Sequence, residues 1–120
     1  MVFGEDLGLD TGTCSRIATA FGGGMSHMGL TCGAVTGALM VLGLASGRGP
    51  ETKQEVYLKA QEFVKAFGRE HGAINCQELI GYDLDSPGQV HEALEKGVFQ
   101  TTCRACVVSA VRILEEMLKG

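Results

Sequence analysis

The chain has 120 residues and a mass of 12.6 kDa, the size of one domain, which buries roughly two-thirds of the surface its unfolded form exposes. Hydrophobic residues make up 45% of it and charged residues 20%, so the composition excludes a disordered chain and predicts a packed core. Ten basic against fourteen acidic residues leave a net charge of −4, which offers phosphate no general attraction and argues against nucleic acid as a partner.

The first residues, Met1-Val2-Phe3-Gly4-Glu5, lack the basic stretch and apolar run of a leader peptide, so none is expected. A helix is predicted over about 10–21, closed by Gly22-Gly23-Gly24, residues that tolerate a left-handed stop. The following segment, Met25, His27 and Met28 beside glycines, reads as a loop with a methionine in the core rather than a soft-metal site. Residues 34–45 form the longest apolar run, a dozen residues against the roughly 20 that a membrane span needs. This helix, about 31–46, carries almost no polar face and is expected to be the central one, without direct membrane insertion. Gly33 and Gly37, four apart, would let another backbone approach it.

Thr52 with Glu55 three residues on forms a capping-box pattern. Behind it Val56, Ala60, Phe63, Val64 and Phe67 make one apolar stripe at helical spacing, with Gly68 as a stop that Arg69 and Glu70 could override. Asn75 then stands as an N-cap, Gly81 to Ser86 as a turn, and Ser86-Pro87-Gly88-Gln89 as the opening of a short helix. In the turn Asp83 and Asp85 fit backbone hydrogen bonding better than carboxylate chemistry. The last helix is predicted to start after Thr102 and to bury Val107, Val111, Leu114 and Leu118. No segment alternates as a strand does. The expected fold is all-α, a single helical domain over residues 1–120 with five to six helices around the central apolar helix.

Five cysteines, an odd number, argue against a closed disulfide framework and for thiols kept reduced in the cytoplasm, where they serve catalysis or metal binding more often than structure. Thr31, Asn75 and Thr102 precede Cys32, Cys76 and Cys103, which places three thiols at the first position of predicted helices. There the free N–H groups and the macrodipole favour thiolate, the nucleophile of disulfide exchange and the ligand of soft metals. Cys106 follows Cys103 by one helical turn in a CxxC. Its next residue is Val107, not the His of a haem-attachment motif, and no βαβ pattern surrounds it. Cys14, beside Ser15 and Arg16, reads as ordinary packing.

These blocks in order, Phe21-Gly22-Gly23-Gly24-Met25, then Thr31-Cys32-Gly33-Ala34-Val35-Thr36-Gly37, then Asn75-Cys76-Gln77-Glu78-Leu79-Ile80-Gly81, then Cys106 ahead of an amphipathic helix, resemble the C_GCAxxG_C_C family of redox-active proteins. The resemblance implies an α-helical thiol redox or electron-transfer protein, with Cys32, Cys76 and Cys106 matching its cysteine positions. The family also carries a Cys on a helix upstream of the segment resembling Leu7-Gly8-Leu9-Asp10. This sequence lacks that helix, and Cys103 is the extra thiol best placed to stand in for it.

The leading expectation is dithiol–disulfide cycling by Cys32, Cys76, Cys106 and Cys103, with a redox partner protein or a small thiol or disulfide as the other reactant, as a possible thiol–disulfide oxidoreductase. One alternative is a metal site, an iron–sulfur cluster or Zn²⁺ on Cys32, Cys76, Cys103 and Cys106. Another is a non-enzymatic helical subunit packed against a transporter or a second copy of itself as a homo-oligomer.

Overall fold

A computed structural model of the chain describes residues 7–26 and 28–118. Among the described residues six helices exceed a single turn: α1 Thr11–Ala18, α2 Gly33–Ser46, α3 Lys53–His71, α4 Cys76–Ile80, α5 Pro87–Glu95 and α6 Val98–Leu118. Short 3₁₀ segments at Thr19–Phe21 and Pro50–Thr52 and a helical turn at Gly22–Met25 connect them. The fold is the all-α bundle expected. His27 and the Met1–Glu5 start lie outside the described residues.

Helix starts follow from local chemistry, not always as the sequence suggests. Asp10 caps α1 as its carboxylate accepts from the Thr13 backbone N–H and hydroxyl, both at 2.8 Å. At α3 the capping box does not form. The Thr52 hydroxyl instead accepts from the Arg48 N–H at 2.7 Å and donates to the Gly49 carbonyl at 3.0 Å, closing the 3₁₀ turn ahead of the helix. Glu55 turns to Lys59, one helical turn on, at 3.5 Å. Helix α3 runs through Gly68 to His71 and stops at Gly72, whose φ of 80° is the left-handed cap. Asp83 does serve the turn: its Oδ1 accepts from the Asp85 N–H at 2.9 Å.

The largest correction falls on α6. It begins at Val98, so Cys103 lies inside the helix and Thr102 is not its cap. Gly97, at φ 68°, makes the turn, and its carbonyl accepts from the N–H groups of Gln100 and Thr101. The buried face is also rotated from the predicted stripe: Cys106, Ser109, Ala110, Ile113 and Leu114 are buried, whereas Val107 is 50% exposed.

Two hydrophobic clusters result. In the larger, Val35, Ala38 and Leu42 of α2 meet Phe63 and Phe67 of α3 and Cys106, Ala110, Ile113 and Leu114 of α6. Leu42, Phe63 and Phe67 are fully buried, each contributing about 1.5–3 kcal/mol by its removal from water. The smaller cluster gathers Cys76, Ile80 and Leu84 with Tyr82, Val90, Val98, Phe99 and Cys103. The 21-residue helix α6 crosses both. The opposite side of α2 borders a 440 Å³ apolar groove shared with α1, where Ile17 and Leu44 stay exposed and Cys14 lies half-buried. No helix among the described residues is long and apolar enough to cross a membrane.

Candidate functional site

Four of the five thiols meet where the two clusters join. The segment before α2 and the segment before α4 lie side by side, with Thr31 and Asn75 forming an antiparallel bridge. Around it the Cys32 N–H donates to the Ile74 carbonyl at 2.7 Å, and the Cys76 N–H donates to the Leu30 carbonyl. In this register Cys32 and Cys76 are diagonal neighbours on one face of the bridge, close enough for their side chains to interact. This pairing, rather than a close helix approach at Gly33 and Gly37, brings the second thiol to Cys32. Gly37 has nothing within 4 Å of where a side chain would begin, and Gly33 is approached by the Phe21 carbonyl alone.

Behind the bridge sits Gly24. Its φ of 67° is left-handed, its carbonyl accepts from the Leu30 N–H at 3.0 Å, and a Cβ there would lie 2.5 Å from the Cys76 Cβ. The expected stop at Gly22-Gly23-Gly24 is not where the helix ends: α1 closes at Ala18, and the glycines belong to the helical turn Gly22–Met25, where Gly24 lets the chain fold directly against a cysteine. Gly29, at φ 71°, makes a similar close approach to Gln77. The sequence signal for this role was the glycine run itself, which reads equally well as a cap.

Cys32, Cys76 and Cys103 line a 210 Å³ cleft together with Gly24, Gly33, Ala34, Phe99 and Val107. Phe99 and Val107 were not among the expected site residues. They reach the cleft because α6 starts five residues earlier than predicted and faces a different way. Cys106, 2% exposed, lies beneath in the larger cluster, where Cys32 packs against it. The Cys32 side chain is near enough to Cys106 to help hold the Cys106 thiol in its protonated form. Cys14 belongs to the separate apolar groove.

Burial pushes the Cys76 thiol up to about 11, and the sulfurs of Cys103 and Cys32 add to the effect. Cys106 is pushed up to about 12 by burial and then by its sulfur neighbours, Cys32 first. Cys103 is raised for the same two reasons, burial and then Cys32. The expected helix-terminus effect thus does not govern Cys76 or Cys103. Cys76 does sit at the first position of α4, but that helix is five residues long and the thiol is buried. Cys103 is mid-helix, and Cys32 occupies the N-cap rather than the first helical position. All five cysteines are free thiols. Cys32 is the sulfur common to the surroundings of the other three.

Such a set can exchange a pair of electrons by making and breaking a disulfide. Among the described residues no three His, Cys, Asp or Glu side chains are arranged to hold a metal ion. His91 pairs with Glu95 at 2.9 Å on the surface. His71 stacks on Phe67 at 4.6 Å between ring centroids. Comparison with curated proteins finds no match, nor does comparison with solved structures. A family model described as "Putative redox-active protein (C_GCAxxG_C_C)" matches residues 1–117, and the chain belongs to that family.

Proposed function

We propose that the protein is a cytoplasmic thiol–disulfide redox protein. Cys32 is its attacking thiol and Cys106 is the thiol that resolves the mixed disulfide. The observation that carries this reading is the position of Cys32, which lines the cleft and packs against the buried cluster that holds Cys106. The Cys32 thiolate attacks a disulfide on a partner protein or small molecule, joining one substrate sulfur to Cys32 and releasing the other as a thiol. Cys106 then attacks the Cys32 sulfur, its proton passing to the departing substrate sulfur, which leaves as the second thiol, and a Cys32–Cys106 disulfide remains. Two electrons pass to the substrate, and the protein is reset by any dithiol that runs the exchange in reverse.

The test is thiol counting under a small cyclic disulfide as oxidant, with free thiols alkylated and weighed. Wild-type protein loses thiols in pairs. Cys32→Ser loses the paired oxidation, whereas Cys14→Ser keeps it. Retention of paired loss in Cys32→Ser would remove Cys32 from the role.

A further inference from the structure

Two thiols suffice for the cycle just described, yet the cleft holds two more. Their placement is uneven. Cys106 and Cys32 pack in the larger cluster, and Cys76 and Cys103 in the smaller. The clusters meet at the cleft, whose wall carries Cys32, Cys76 and Cys103 together. Helix α6 supplies one thiol to each pair, Cys103 and Cys106, one turn apart. Each thiol of the second pair therefore shares the cleft with Cys32 as well as with its own partner.

We infer that the site is a four-electron store built from two dithiols, Cys32–Cys106 and Cys76–Cys103, with Cys32 as the thiol through which oxidation enters and is passed on. This rests on the thiol-redox reading above. The transfer is internal exchange and balances without any other reactant. The Cys103 thiolate attacks the Cys32 sulfur of the Cys32–Cys106 disulfide, forming Cys103–Cys32 and releasing Cys106, which takes up a proton. The Cys76 thiolate then attacks the Cys103 sulfur, forming Cys76–Cys103 and releasing Cys32. The first pair is again a dithiol and can reduce a second substrate disulfide. Two substrate disulfides become four substrate thiols, while four protein thiols become two disulfides.

The class of substrate follows from the count. A dithiol store of this capacity serves a reaction that consumes two disulfides, or the two halves of a four-electron reduction, without reloading between steps.

The experiment titrates fully reduced Cys14→Ser protein anaerobically with oxidised lipoamide, a cyclic disulfide, and maps free thiols by alkylation and peptide mass. The expected result is loss of four thiols at two equivalents, with Cys76 and Cys103 linked to each other. Cys103→Ser is expected to stop at two thiols, with Cys32 and Cys106 linked. Cys76→Ser also stops at two thiols, with Cys32 linked to Cys106 or to Cys103, so the two variants check each other should burial of Cys76 make its replacement fold poorly. Cys14→Ser protein that loses only Cys32 and Cys106 under excess oxidant would overturn the store and leave the two-thiol cycle standing. Loss of no cluster thiol would overturn the cycle itself.

Discussion

Gly24 joins backbone geometry to the thiol site in one residue. Gly24→Ala forces a left-handed φ on a residue with a Cβ and drives that carbon into Cys76 and the Leu30 backbone. The expected cost is about 2–4 kcal/mol from strain and overpacking combined, read as a drop in the urea midpoint. A midpoint within error of wild type would mean that the approach of Gly24 to Cys76 is looser than described. The cysteines divide on the same grounds of position. Cys32 lines the cleft and Cys14 the distant apolar groove, so alkylation with a polar reagent is expected to block disulfide exchange only when Cys32 is modified. Peptide mapping of the modified protein against residual exchange activity checks this.

At the scale of elements, the amphipathic helix α3 was legible because Phe63 and Phe67 recur at helical spacing and both are buried. Helix α6 was legible only in its second half. Its first turns carry Val98 and Phe99 without a capping residue, and the turn that starts them depends on Gly97 in a left-handed conformation, which a sequence does not announce. The misplacement moved Cys103 from a helix start to a helix interior and hid Phe99 and Val107 from the site. Thr52 shows the opposite error: a strong pattern whose hydroxyl is claimed by a neighbouring turn. Thr52→Ala is therefore expected to loosen the Gly47–Thr52 connection, at a cost of about 0.5–1.5 kcal/mol for the hydrogen bonding removed. Hydrogen exchange checks the location: faster exchange at the Arg48 amide is expected, without fraying of Glu55. Fraying confined to the start of α3 would restore the capping box.

For the whole molecule, the buried thiols make the folded state sensitive to alkaline pH. Cys76 and Cys106 hold their protons to about 11 and about 12 in the folded chain, against 9.0 for an unperturbed thiol. The folded state thus binds protons more tightly than the unfolded one. The resulting stability is fully present below about pH 9 and is lost as pH rises through 11 and 12. The urea midpoint of reduced protein is expected to fall over that window, and the fall to be shallower in Cys106→Ala. Equal slopes in the two proteins would mean that Cys106 is not buried as a neutral thiol. The sequence marks the cysteines that come together, since their separations match a family pattern, but it does not show what joins them. The bridge between Thr31 and Asn75 is a pairing of residues 44 apart in sequence, made by backbone groups that every residue carries.

The measurement that bears most directly on thiol redox function is a disulfide map of wild-type protein after limited oxidation by a substoichiometric cyclic disulfide. Every disulfide found is expected to join two of Cys32, Cys76, Cys103 and Cys106 within one chain, with thiols disappearing two at a time and Cys14 left free. Oxidation of single cysteines without partners, or disulfides confined to Cys14 between chains, would contradict the account.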